Sequence, residues 1–299
     1  MSIAIIVNPY ANRWKCGSQI NMIDKYMKES GLNYHILLTK EKGHATELAY
    51  NAAAVGQQAI IAVGGDGTLN EVVNGLLKHD VDHITNPTIG IIPLGTANDL
   101  ATQLHIPTNI EGAIEIISSG FTRGIDIGKV NGHYFINNSA IGLETEVTLA
   151  NESMTNIQGP LRYLLAAILT ILKRPSWQAT LVWNNSEYSG SLTLVSVGNS
   201  NRTGGMFYMT PNAIPDDGEL DFIYAPALTR GEMFRLLPQT IKGTHISNQA
   251  IHEHRTSHLK IRCEPATTIQ ADGEIFSAPT TDITYRVLPK ALQILVPNH

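Results

Sequence analysis

Four short apolar runs, each followed by a segment of helical spacing, organise the first part of the chain. Residues 3–7 are apolar throughout, and Asn8-Pro9 ends the run. Residues 34–38, 59–63 and 88–92 repeat the pattern. Segments 18–29, 45–55, 69–77, 97–104 and 110–117 read as helices. Strands that are apolar without alternation are buried on both faces, and strands separated by helices pair in parallel. The spacing predicts an open parallel α/β sheet. After about Asp126 the pattern changes. Short runs at Trp177–Trp183, 188–197, 220–224, 259–263, 267–271 and 282–287 recur, with turn dipeptides such as Asn184-Asn185 and Asp217-Gly218 between them. That half predicts an antiparallel β-sandwich or barrel.

The expected division is an α/β domain over 1–127 and a β domain over 128–287, with the apolar tail 288–299 able to return to the first. No Pro/Gly/Ser linker separates the parts, so a cleft between closely packed domains is expected. The chain has 299 residues and is 43% hydrophobic, enough for two cores. A net charge of -5 argues against broad nucleic-acid binding. Cys16 and Cys263 form no CxxC pair, which fits free thiols in a reducing cytosol. The N-terminus lacks a basic n-region and reads as a strand. No apolar stretch is long enough to span a bilayer, so a membrane substrate would be met from the water side.

Two loops carry the chemistry of the first half. Gly64-Gly65-Asp66-Gly67-Thr68 follows a predicted strand and opens a predicted helix. Glycines let the backbone approach a phosphate, and a helix N-terminus supplies N–H donors. Asp66 could act through a metal ion or orient a donor. Thr68 and Asn70 can bond a phosphate or sugar. The loop lacks the Gly-Lys-Ser/Thr of a Walker loop. Pro93-Leu94-Gly95-Thr96-Ala97-Asn98-Asp99 repeats the strand–loop–helix plan, with Thr96 or Asn98 as candidate helix caps. In a parallel sheet, Asn8-Pro9, Thr39 and both glycine loops emerge at one edge.

The second half offers carboxylates. Asp126 lies at the change of pattern. Asp272-Gly273-Glu274 sits between strand-like runs; Asp-Gly is a common hairpin turn, and on an extended strand Asp272 and Glu274 would instead share a face. A phosphotransferase needs a base near the acceptor hydroxyl and carboxylates near magnesium. Asp216-Asp217-Gly218-Glu219 is a second acidic turn, either a solvated tip or a cation site. Pro160–Lys173 reads as a buried core helix, with an interfacial helix as the alternative; Arg162, Lys173 and Arg174 mark its ends.

The motifs Val63-Gly64-Gly65-Asp66-Gly67-Thr68-Leu69-Asn70-Glu71, Ile92-Pro93-Leu94-Gly95-Thr96-Ala97-Asn98-Asp99 and Asp272-Gly273-Glu274, in that order, resemble the diacylglycerol kinase catalytic-domain family. The likeness extends to the soluble bacterial lipid kinases of the YegS type and covers nearly the whole chain. It implies a phosphofructokinase-like N-terminal domain and a C-terminal β-sandwich, with ATP between them. It implies that Thr39, Gly64, Gly65, Asp66, Gly67, Thr68, Leu69, Asn70, Thr96, Asn98 and Asp99 serve the nucleotide. Asp66 and Asp126 would join the acidic network at the phosphates and magnesium. Glu274 would be the general base, with Asp272 beside it. Residues 212–219 are similar to a structural magnesium loop, with Asp217 giving its carboxylate and Ile214 and Glu219 their carbonyls. The implied activity is phosphorylation of a lipid hydroxyl, on diacylglycerol or a related glycerolipid such as phosphatidylglycerol. The implied location is the cytoplasm, in peripheral contact with the inner face of the membrane. A homodimer stays open. Two other readings compete: a kinase of a soluble substrate such as NAD or a sugar phosphate, and a non-catalytic nucleotide-binding module.

Overall fold

The computed structural model describes residues 2–79, 87–154, 160–173 and 175–298. Arg174 lies outside the described residues. The chain forms two units, Met1–Ile125 with Lys290–His299, and Asp126–Pro289.

The apolar runs of the first unit become strands: three are buried on both faces, and the fourth, Asn33–Leu38, is an edge strand whose side chains are half-buried or exposed. The strands are β1 (Ser2–Val7), β2 (Asn33–Leu38), β3 (Ala59–Gly64) and β4 (Thr88–Pro93). The helices are α1 (Ile20–Glu29), α2 (His44–Ala54), α3 (Asp66–His79), α4 (Asp99–Gln103) and α5 (Ile110–Ser119). The strands pair in parallel in the order β2-β1-β3-β4. The tail adds to the β4 edge, where Ile294 pairs in parallel with Ile89. Ile3, Ile5, Ile61 and Val63 pack with Ile23 and Met27 of α1 and Ile114 and Ile117 of α5. On the other side α2 meets α3 so closely that a Cβ at Gly75 would overlap the Thr46 carbonyl oxygen. The sequence reading starts α4 at residue 97. The helix starts at Asp99 instead, because Asn98 is left-handed at φ 53.

The second unit is built on antiparallel strands. They are β5 (Thr122–Val130), which enters from the first unit, β6 (His133–Phe135), β7 (Asn138–Gly142), β8 (Trp177–Trp183), β9 (Ser186–Gly198), β10 (Leu220–Pro226), β11 (His252–Thr256), β12 (His258–Thr267), β13 (Gln270–Ala271), β14 (Glu274–Ile275) and β15 (Thr280–Leu295). One path runs β14-β13-β7-β9-β8-β12-β15, and β10 pairs with β9 and β11. The β8–β9 hairpin closes on Asn184-Asn185, with Asn184 at φ 46. Its core holds Phe135, Leu181, Phe222 and Tyr285. The parallel α/β half and the antiparallel half both bear out the expected fold class.

Among the described residues three α-helices also belong to this unit: α6 (Leu143–Ser153), α7 (Pro160–Lys173) and α8 (Arg230–Lys242). Only α7 is expected from the sequence. The missed α8 carries a legible start signal, a capping box between Thr229 and Glu232. In α7, Ala166, Ala167, Thr170 and Ile171 are buried while Leu169 and Leu172 stay half exposed. The core reading thus describes one face of the helix. The run 267–271 is no single strand: β12 ends at Thr267 and β13 begins at Gln270.

Candidate functional site

In the first unit the two glycine loops touch backbone to backbone. A Cβ at Gly65 would lie 3.1 Å from Gly95 Cα, and a Cβ at Gly95 would overlap Gly65 Cα. At Gly95 only glycine allows this approach, and at Gly65 a Cβ would press the neighbouring backbone back by a few tenths of an ångström. The loop 64–65 leads directly into α3, whose first-turn N–H groups have no partner within the helix. Asn8 Nδ2, at the end of β1, donates to Thr68 Oγ1 at 3.0 Å. Thr39 is buried, and its N–H donates to Val7 O at 2.9 Å. The strand order places β1 next to β3, so these residues cluster at the switch point of the sheet, where such folds bind ligands.

Asp66 orients a donor, one of the two roles open to it from the sequence. Its Oδ1 accepts the Asp99 N–H at 2.7 Å and so closes the start of α4. This corrects the expected cap: neither Thr96 nor Asn98 caps that helix. Asn98 instead ties its own loop together, accepting from Gly95 N at 3.0 Å and donating to Pro93 O and Gly95 O, each at 3.2 Å. Asn70 accepts from Asn74 through its carbonyl and side chain. Thr96 is exposed. Glu71 holds the neighbouring loop by accepting from Gly43 N at 2.8 Å and Ala45 N at 3.1 Å. The arrangement can bind an anion through N–H groups and hydroxyls on a fixed backbone.

In the second unit Asp272-Gly273 is a tight turn, with φ 48 and 83, joining Ala271 to its pair Glu274. The expectation that Asp272 and Glu274 share a face of an extended strand is corrected: a left-handed pair reverses the chain between them. The Asp272 carboxylate accepts from the backbone N–H of Ile136, Asn137 and Asn138 at 2.8, 2.8 and 3.0 Å. Its own N–H donates to Asn138 O at 2.8 Å. Asp272 is therefore a strut between the turn and the start of β7. Glu274 is half-buried on β14.

Asp126 is fully buried beside the second acidic turn. Its Oδ2 accepts from Gly218 N at 2.6 Å, and its N–H donates to Pro215 O at 2.7 Å. The structure thus brings Asp126 to the loop that carries Asp217, a link invisible in sequence. Asp217 Oδ1 accepts from Glu219 N at 3.0 Å, while its Oδ2 pairs with Arg255. Arg255 also reaches Glu219 at 3.5 Å and Asp221 at 3.6 Å. Asp221 is buried, and neither of its oxygens has a hydrogen-bond partner among the described residues. Burial, with Glu253 and Glu219 nearby, pushes its carboxyl up to about 7. Asp221 and Arg255 escape sequence reading because their meeting depends on the pairing of β10 with β11.

A cavity of about 90 Å³ lies within the second unit. Leu194, Phe207, Met209, Ile223 and Leu236 line it with side chains of α6 and α7. Glu144, His245 and Thr203 add polar groups to its wall, and each keeps a buried atom without a hydrogen-bond partner among the described residues. His245 contacts Met209 O at 3.1 Å. Burial lowers the histidine pKa and raises those of Glu144 and Tyr163, so burial favours the neutral form of each.

Residues 2–130 match the family model described as the diacylglycerol kinase catalytic domain. Residues 138–296 match the YegS C-terminal NAD kinase beta sandwich-like domain. The diacylglycerol kinase of Bacillus subtilis (strain 168) is 32% identical over 90% of this chain and 88% of its own length. That of Staphylococcus carnosus (strain TM300) is 29% identical over 90% and 87%. A crystal structure from Bacillus anthracis str. Sterne, provisionally described as a diacylglycerol kinase, superposes with a TM-score of 0.83 at 27% identity, covering 99% of this chain and 95% of that one.

Proposed function

Because this chain belongs to the diacylglycerol kinase family, we propose that it transfers the γ-phosphoryl group of ATP to the hydroxyl of diacylglycerol or a related glycerolipid such as phosphatidylglycerol, with magnesium. The chain is a lipid kinase, a phosphotransferase with an alcohol acceptor. The observation that supports an acyl-bearing substrate is the apolar cavity under α6 and α7, whose aliphatic and aromatic walls favour methylene groups over sugar or nucleotide.

Phosphoryl transfer depends on positioning and on charge neutralisation more than on covalent chemistry. Thr39, residues 64–70, Thr96, Asn98 and Asp99 are assigned to the nucleotide. Asp66 holds the two glycine loops in register through Asp99 N, which fixes the backbone donors. Glu274 is assigned to take the proton of the acceptor hydroxyl, with Asp272 holding its turn. Asp126 is assigned to the acidic network and organises the loop beside it. When bound at the phosphates, magnesium supplies neutralisation of developing charge.

The loop at 214–219 suits a hard cation. Asp217 offers a carboxylate, and Ile214 and Glu219 offer carbonyls. Magnesium added to the metal-free protein is expected to raise its melting temperature, because a ligand of the native state stabilises it by mass action. In Asp217→Asn the rise should shrink or vanish in a thermal-shift titration. An undiminished rise would remove Asp217 from the metal site.

Peripheral membrane contact is proposed through the half-exposed Leu169 and Leu172 of α7 and Phe234 and Ile241 of α8. Lys173, Arg230, Arg235 and Lys242 on the same helices suit anionic headgroups. No helix among the described residues is long and apolar enough to cross a membrane. One experiment tests the whole reading. The protein is incubated with labelled ATP and magnesium against anionic vesicles holding diacylglycerol, phosphatidylglycerol or neither, and against NAD. Label on a glycerolipid, reduced together with vesicle co-sedimentation in Leu169→Glu/Leu172→Glu, is expected. Saturable label on NAD alone would replace this reading with the soluble-substrate one.

A further inference from the structure

The loop between β1 and α1 leaves the sheet at the edge that carries the phosphate cradle. Asn8 joins the two: its Nδ2 donates to Thr68 Oγ1 at 3.0 Å, and its Oδ1 accepts from Tyr10 N at 3.1 Å. The loop then folds on itself. Trp14 N donates to Tyr10 O, Lys15 N to Asn12 O and Cys16 N to Ala11 O, each at 3.3 Å. Gly17 N returns to Pro9 O at 3.1 Å, and Cys16 is buried. Between these ties stand three consecutive left-handed residues, Asn12, Arg13 and Trp14, at φ 49, 57 and 70. None of them is glycine, so the backbone holds a conformation that these residue types disfavour.

That turn puts aromatic groups on the outside. Trp14 is 68% exposed and Tyr10 43%. Their rings meet edge to face at 4.6 Å. A tryptophan held in water forgoes the burial that usually fixes its place in a fold. Arg13 and Lys15 flank it and are exposed as well. Neither pairs with a carboxylate among the described residues. No acidic residue precedes Asp24 in the chain, so the tip is cationic in a protein of net charge -5. A nucleobase would stack on one ring face and calls for no cation on either side of it. An anionic bilayer uses every part of the tip. The two aromatic rings settle at headgroup depth, and the two cations meet lipid phosphates. A kinase of a membrane lipid has to bring its nucleotide edge to the bilayer, and the tip stands on that edge.

We infer that Arg13-Trp14-Lys15, with Tyr10, is a docking tip that enters the headgroup layer of an anionic bilayer and anchors the first unit there. The surface is separate from helices α7 and α8 of the second unit. The inference rests on the lipid-kinase reading for its choice of partner, but docking is measured without turnover.

The whole protein is mixed, without nucleotide, with vesicles of phosphatidylcholine alone or with phosphatidylglycerol. Trp177 and Trp183 are buried, so a change in emission reports Trp14. On anionic vesicles the emission should move to the blue and be quenched by lipids brominated on the acyl chain, with little change on phosphatidylcholine alone. The signal should be absent in Trp14→Phe. Arg13→Gln/Lys15→Gln should lower vesicle partition roughly 10- to 30-fold, the worth of two basic side chains at an anionic surface. Trp14→Ala should lower it roughly 10-fold. Phosphorylation of a water-soluble short-chain diacylglycerol should keep its wild-type rate in these variants. Emission unchanged by anionic vesicles, even where the protein sediments with them, overturns the inference and leaves contact through α7 and α8 standing. A signal that persists in Trp14→Phe overturns it too. A shift produced by ATP alone would give the tip to the nucleotide, and an equal shift with polyglutamate would give it to an acidic protein; either overturns the inference. Quenching by anionic vesicles in a protein that phosphorylates no lipid would keep the tip and sink the substrate reading.

Discussion

Glu274→Gln is expected to lower lipid phosphorylation by roughly 10²–10⁴-fold, the usual worth of a general base, with an unchanged thermal transition. Glutamine keeps the size of the side chain and loses its basicity. Glu274 is half-buried on a strand of two residues and lies outside the packed core, so the fold has little to lose. Its neighbour should behave in the opposite way. Asp272→Ala leaves three backbone donors without the carboxylate that accepts them. Hydrogen bonds to a charged acceptor are worth about 1.5–3 kcal/mol each, and their sum is not additive. A loss on the order of 3–5 kcal/mol is expected from that range, seen as a large fall in melting temperature. Residues two apart in one motif thus separate chemistry from structure. Kinetics and melting curves on both variants decide the assignment. Wild-type turnover in a folded Glu274→Gln protein would end the role of Glu274 as base.

The sequence makes the frame of this molecule legible and hides how its polar groups are used. Strands such as 3–7 and 59–63 are readable because burial on both faces writes an unbroken apolar run. The convergence of the glycine loops follows from parallel topology alone, before any contact is known. The helices α6 and α8 escape because their apolar faces are short and cover a sheet that is itself apolar. For α8 the Thr229–Glu232 pair is the overlooked signal. Hydrogen-bond partners remote in sequence stay hidden. Asp66 reaches Asp99 across 33 residues, Asp272 reaches Ile136 across 136, and Gln270 reaches Glu144 across 126. Nothing local in the chain encodes such pairings. The turn at Asp272-Gly273 shows a different case, two local readings of one tripeptide. Asp-Gly is a common turn dipeptide that also fits an extended strand, and only the positive φ of both residues decides for the turn.

Gly95→Ala is expected to cost about 10²-fold in kcat/KM for ATP, because a misplacement on the order of 1 Å has that effect on a positioned reaction. The new Cβ would overlap Gly65 Cα and lie 2.9 Å from Gly65 N. Both are main-chain atoms, so no side-chain rotation relieves the clash. It would also stand 2.7 Å from Asn98 Oδ1, the atom that accepts the Gly95 N–H. The loops must therefore part, and the link from Asp66 to Asp99 N must stretch with them. Gly65→Ala is the graded control. Its Cβ meets Gly95 Cα at 3.1 Å, which a shift of a few tenths of an ångström relieves, so a smaller loss is expected. Since the cavity and the Glu274 turn belong to the other unit, the lipid KM should stay near the wild-type value in both variants. A nucleotide titration that finds Gly95→Ala binding ATP as tightly as the wild-type protein would show that the paired loops do not form the phosphate cradle.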